Sequence, residues 1–119
     1  MSDSGANDWR YDATILKVKD GDTVVAQVDL GFSTHLIQTF RLIGINSPEK
    51  TGKTKLLGEQ ATRYLIDKVE GKRVIIETHR DAMEKYGRFL ATIWLDGVNV
   101  NKLMVESGNA VEYWGGKRE

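Results

Sequence analysis

Thr23 to Leu30 reads TVVAQVDL, with Val24, Ala26, Val28 and Leu30 on every second residue. A period of two puts alternate side chains on opposite faces of a strand, so this segment can bury its apolar face only within a sheet. Its sheet neighbours are adjacent in sequence. Thr14 to Lys19 (TILKVK) also alternates, and Asp20-Gly21-Asp22 separates the two. Asp-Gly is a strong tight-turn signal. Beyond the break at Gly31, Leu36 to Ile45 (LIQTFRLIGI) predicts a third strand. The first half is therefore an antiparallel meander.

A polar loop, 46–55, follows and holds the sole proline, Pro48. Leu57 to Val69 then shows helical spacing, with Leu57, Ala61, Tyr64, Leu65 and Val69 on one face and Gly71 at the C-cap position. Arg73 to His79 predicts a fourth strand, 80–86 a charged connection, and Arg88 to Leu95 a fifth strand ending in Asp96-Gly97. Asn99 to Glu106 predicts a short helix with Val100, Leu103 and Met104 inward and Gly108 closing it. The ending AVEYWGGKRE adds one short extended piece. The order strand-strand-strand-helix-strand-strand-helix predicts an all-β/α+β fold, a five-stranded Greek-key barrel of the OB type with two helices. The expectation is one domain over 1–119, with 1–9 and 115–119 as flexible ends.

Composition removes several function classes. The chain has no cysteine, so it has no disulfide framework, thiolate nucleophile or cysteine zinc site. Its two histidines, His35 and His79, are not in metal-ligand spacing. No apolar run approaches the roughly 20 residues that cross a bilayer, and MSDSGANDWR has no apolar signal core, so a cytoplasmic location is the expectation. Lysine plus arginine equals aspartate plus glutamate at 17 each, which argues against a binder relying on bulk positive charge alone.

Gly52-Lys53-Thr54 imitates the end of a P-loop. The first glycine of that motif would fall on Ser47, and Pro48 has no N–H to give a phosphate. Antiparallel meanders also lack the parallel sheet on which such loops sit. The segment Lys50 to Lys55 is instead expected to be a mobile basic loop.

What remains is a set of polar residues at strand ends. Asp22 follows the first turn, Arg41 lies on the third strand, Asn46, Ser47 and Glu49 follow it, and Arg88 opens the fifth. Alternation puts Arg41 on a face with Ile37, Thr39, Ile43 and Ile45, where it would need an anion. Two arginines with oxygen ligands suit phosphoryl chemistry. The guanidinium fork matches phosphate oxygens, and Asp22, Asn46 and the Ser47 carbonyl suit a hard cation such as calcium. Glu49 is placed to orient or deprotonate water. Each residue also has a plainer reading: a paired strand arginine, turn-forming aspartates, a loop glutamate and a strand-edge cation.

Four ordered stretches carry a family resemblance: DGDTV at Asp20–Val24, FRLIGINSPE at Phe40–Glu49, GEQA at Gly58–Ala61 and KYGRFLA at Lys85–Ala91. With DGVNVNKLMVESGNA, they make the chain resemble the thermonuclease (micrococcal or staphylococcal nuclease) family from about Ile15 to Trp114. AVEYWGG and VDLGF look most like its short phage and bacterial members. The resemblance implies an OB-type barrel and calcium-dependent cleavage of DNA and RNA with little sequence preference. It implies Arg41 and Arg88 as catalytic arginines, Glu49 as the carboxylate credited with activating water, and Asp22 as a calcium ligand. Asn46 takes the place of a second calcium-binding aspartate, and Ser47 offers its carbonyl. Lys85 and Tyr86 match positions near substrate phosphate and base, and Tyr113 and Trp114 fall near substrate-stacking tyrosines. Asn46 is neutral where the best-known member of the family has aspartate, so weaker calcium binding or another divalent ion is expected. Larger members continue into a third helix beyond the region of Trp114, and lower stability, a looser substrate groove or room for a partner is the expectation here. The alternative is a non-catalytic OB module that binds nucleic acid or protein. A structural domain of a larger assembly ranks last.

Overall fold

The structure, a computed structural model, describes residues 9–114. Its elements run β1 (Trp9–Asp20), β2 (Thr23–Gly31), β3 (Thr34–Leu42), β4 (Ile45–Asn46), α1 (Lys55–Val69), β5 (Arg73–Met83), β6 (Phe89–Leu95), β7 (Val98–Asn99), α2 (Val100–Glu106) and β8 (Val111–Glu112). The sheet order is β3-β2-β1-β5-β6-β7, and β3 also pairs with β6, which closes a five-stranded barrel. The closing pair is parallel, Phe40 opposite Phe89 and Leu42 opposite Ala91, whereas the other ladders are antiparallel. The predicted barrel with two helices is what the chain forms.

The core follows the alternation. Ile15, Val24, Ala26, Phe40, Leu42, Ile76, Ala91 and Ile93 point inward and are buried. Leu30 continues the β2 pattern but lies past the barrel and is 42% exposed. α1 packs on β1 through Gly58, Ala61, Thr62, Leu65 and Val69. The predicted inward Leu57 is 55% exposed. Gly58 takes the inward position beside it because only a residue without Cβ fits there: a Cβ would come within 2.5 Å of the Glu49 carbonyl oxygen.

Four further expectations shift. Trp9 opens β1 rather than belonging to a loose end, while the flexible ends expected at 1–8 and 115–119 lie outside the described residues. The third strand does not run through to Ile45: Gly44 at φ +84° turns the chain, and Ile45–Asn46 forms β4, paired with β8. β5 extends to Met83 through an irregularity at His79–Ala82, where Arg80 and Asp81 take φ of +57° and +53°. In α2 the inward residues are Val100, Asn101 and Met104, with Leu103 half-buried. Asn101 stitches the barrel seam. Its Nδ2 donates to the carbonyls of Ile43 (2.9 Å) and Ala91 (3.0 Å), and its Oδ1 accepts from the Ile93 N–H at 3.0 Å.

Candidate active site

The β1–β2 turn, the end of β3, the loop after β4, the β5–β6 hairpin and the residues after β8 meet at one cleft of about 1220 Å³. All the residues singled out from the sequence line it, from both halves of the chain.

Asp22 is buried at the floor. Its Oδ1 accepts from the Thr23 hydroxyl and its Oδ2 from the Ser47 N–H, both at 3.0 Å. The turn that carries it can press this closely because residue 21 is glycine. A Cβ there would meet Ala61 Cβ and Ser47 Cβ at 2.8 Å. Ser47 is thereby fixed against Asp22, 25 residues away in sequence.

Arg41 is not surrounded by branched apolar side chains as alternation along one strand suggested. Ile37 on its face is 58% exposed, and the Gly44 turn removes Ile43 and Ile45 from the strand. The guanidinium instead folds over that turn. Nη1 donates to the carbonyls of Leu42 and Ile45, both at 2.9 Å, and Nη2 to Asn46 Oδ1 at 3.2 Å. Nη1 also lies 3.7 Å from Asp22 Oδ2. Among the described residues, these contacts leave the Nε–H and one Nη2 hydrogen for a ligand.

Arg88 is held by a carboxylate. Its Nε donates to Glu84 Oε2 at 2.8 Å and its Nη2 to Glu84 Oε1 at 3.0 Å, and its Nη1 reaches Thr23 Oγ1 at 3.3 Å. The Tyr86 ring lies 5.8 Å from the guanidinium carbon, and Lys85 Nζ lies 5.3 Å from the same ring. Arg88's hydrogen bonds hold the Glu84 carboxyl down at about 2 against the opposing effect of burial. In return, Glu84 pushes the Arg88 pKa up.

Glu49 is exposed, and its carboxylate has no partner among the described residues. Its backbone is pinned, because the Thr54 hydroxyl donates to the Glu49 carbonyl at 2.7 Å and Gly58 packs beneath it. The segment expected to be a mobile basic loop is accordingly folded. Gly52–Thr54 makes a 3-10 turn into α1, and Lys50 donates to the Lys19 carbonyl at 2.7 Å and pairs with Asp20 at 3.5 Å. At the opposite rim, the Tyr113 N–H donates to the Gly44 carbonyl at 2.9 Å. The Trp114 indole lies over Gly44, 2.6 Å from where a Cβ would stand, and is 73% exposed.

The cleft offers oxygen ligands: the Asp22 carboxylate, the Asn46 amide oxygen, and Asp20 and Glu49 nearby. Such donors fit a hard divalent cation. Among the described residues no group of three or more His, Cys, Asp or Glu side chains is arranged to hold a metal, so negative charge at the centre comes mainly from Asp22. The lining cations Arg41, Lys50, Lys85 and Arg88 are matched by Asp20, Asp22, Glu49 and Glu84, so the cleft is not a basic patch.

The sequence reading missed three positioning side chains. Glu84, four residues before Arg88, carried a signal as an acid–base pair at helical spacing, but the segment is a hairpin. Thr54 and Asn101 gave no signal: the role of Thr54 depends on how the loop folds back onto the Glu49 carbonyl, and that of Asn101 on backbone groups of the closed barrel seam.

A small barrel closed by a parallel strand pair, with charged groups gathered at one cleft, defines the class of protein. Residues 39–118, which carry both arginines, match the family described as staphylococcal nuclease homologue, and the chain belongs to that family. It is 27% identical to a thermonuclease of Staphylococcus hyicus over 110 residues, 90% of this chain and 61% of that protein. It is 31% identical to an uncharacterized endonuclease of Escherichia coli O157:H7 over 100 residues, 83% of this chain and 59% of that protein. An uncharacterized protein of Bacillus anthracis is 32% identical over 101 residues, 82% of this chain and 45% of that protein. The chain thus spans between 45% and 61% of the length of these relatives.

Proposed function

We propose that the chain is a metal-dependent nuclease that hydrolyses phosphodiester bonds of DNA or RNA with little sequence preference, using calcium or another hard divalent ion. The observation that supports this most is the placement of Arg41 and Arg88, from opposite halves of the chain, on one cleft beside Asp22. Family membership and the relatives' names agree with it.

In this reading the donors left on both guanidiniums take the non-bridging phosphate oxygens. They bind more strongly as charge builds on the pentacoordinate phosphorus, which lowers the barrier. Glu49 accepts a proton from the attacking water. The water oxygen bonds to phosphorus as the bond to the leaving sugar oxygen breaks, and that oxygen takes a proton from solvent. Asp22, Asn46 and Ser47 would hold the cation, whose chemistry is to neutralise phosphate charge. Lys85 and Tyr86 contact the adjoining phosphate and base, and Tyr113 and Trp114 offer rings for base stacking. None of the described helices is long and apolar enough to cross a membrane, and a cytoplasmic site of action is part of the proposal.

A second reading, a non-catalytic nucleic-acid- or protein-binding module, is favoured by Asn46 and by the filled edge of Arg88. One experiment separates the two. Supercoiled plasmid and single-stranded RNA are incubated with calcium, magnesium, manganese or chelator. The nuclease predicts metal-dependent cleavage that falls by roughly 100-fold or more in Glu49→Gln and in Arg88→Ala. Binding without cleavage in every metal, or variants as fast as wild type, would overturn it.

A further inference from the structure

We infer that Glu84 is a positioning residue for Arg88, holding the guanidinium by its Nε–Nη2 edge so that the Nη1 side is presented toward Thr23 in the cleft. The inference rests on the nuclease reading above. It starts from the hairpin between β5 and β6. The Glu84 N–H donates to the Arg88 carbonyl at 2.8 Å, and the Gly87 N–H donates to the Glu84 carbonyl at 2.9 Å. Gly87, at φ +88°, takes a left-handed conformation that glycine adopts without strain. This closure brings the Glu84 carboxylate back over its own turn, where Oε2 accepts the Arg88 backbone N–H at 2.9 Å as well as Nε at 2.8 Å. The carboxylate is therefore part of the turn, and the fork it offers fixes both the position and the plane of the guanidinium. The Tyr86 ring covers the same group.

The two arginines contrast here. Arg41 is held by main-chain carbonyls of the Leu42–Ile45 turn and by Asn46. Besides Glu84, the guanidinium of Arg88 makes one side-chain hydrogen bond among the described residues, the longer one to Thr23 at 3.3 Å. Without Glu84, a flexible side chain that is 27% exposed would have to be ordered by substrate itself. Preorganised charge acts without that reorganisation, so removing its support costs turnover more than binding.

The test compares wild type, Glu84→Gln and Glu84→Asp, each checked by thermal melting, in steady-state cleavage of a single-stranded DNA oligonucleotide at saturating metal. The expectation for Glu84→Gln is a fall in kcat of about 10- to 100-fold with KM within about twofold, and partial recovery in Glu84→Asp. A second arm follows the Arg88 Nε–H resonance, assigned by its disappearance in Arg88→Lys. It should be protected from exchange in wild type and lost in Glu84→Gln. An unchanged kcat in Glu84→Gln, an effect carried wholly by KM, or a protected Nε–H that survives the substitution would overturn the inference. A wild type inert in every metal would overturn the nuclease reading instead, and the resonance arm would still decide whether Glu84 holds Arg88.

Discussion

Arg41 and Arg88 reach one cleft on different supports, main-chain carbonyls and Asn46 for the first and the Glu84 carboxylate for the second. The strand pattern gives their positions. It does not give rotamers, and it places Arg41 on an apolar face that the Gly44 turn dissolves. Asn46, neutral where the resemblance implies an aspartate, is the candidate site residue most open to test. Its Oδ1 accepts from Arg41 Nη2, so its position already bears a partial negative charge beside a cation. Asn46→Asp adds a full charge to the donor set. Calcium affinity should rise by about tenfold, read by titration calorimetry or by the calcium concentration for half-maximal cleavage. An unchanged affinity would remove residue 46 from the ligand set. The Glu84–Arg88 pair gives a pH signature. Glu84 falls from its ordinary 4.5 to about 2 in the folded protein, so the unfolded chain binds its proton first as pH drops. Its contribution to stability is full above the ordinary value and disappears as pH falls toward the folded one. The difference in urea stability between wild type and Glu84→Gln should therefore shrink across that interval. A constant difference would mean that charge is not what Glu84 contributes.

Elements were read well where one period held and poorly where a single glycine or a bulge decided. β1, β2, β5 and β6 follow from alternation, because a half-buried strand must alternate. Periodicity put Leu57 on the buried face of α1, yet it and its neighbour Leu56 are exposed, at 55% and 66%. Backbone contact won over hydrophobicity there, and no periodicity encodes the approach of one backbone to another. Gly58→Ala tests this. In an open helix the change would stabilise by about 0.5–1 kcal/mol. Here the added methyl meets the Glu49 main chain at 2.5–2.6 Å, and overpacking of this kind costs about 1–3 kcal/mol. The net expectation is a loss of about 1–2 kcal/mol in urea unfolding, with reduced cleavage because Glu49 shifts. A stabilised, fully active variant would show that the loop yields freely.

The molecule as a whole carries 17 charges of each sign, and its cleft repeats that balance in miniature. Its sense of place comes from the seam, where β6 pairs with β3 and Asn101 ties Ile43 to Ala91. Asp22, Arg41 and Glu49 precede α1's end, and Arg88 follows it, so neither half contains the whole site. Fragments 1–71 and 72–119 should each be inert in the plasmid assay and recover part of the activity when mixed. Cleavage by 1–71 alone would make the second arginine dispensable. Synthesis proceeds from the N-terminus, so the strand that completes the ring emerges late. A nascent polypeptide with its last third still in the ribosome has acid and arginine on one bank and nothing opposite. Any cleavage that depends on the second arginine therefore waits until β6 has joined β3.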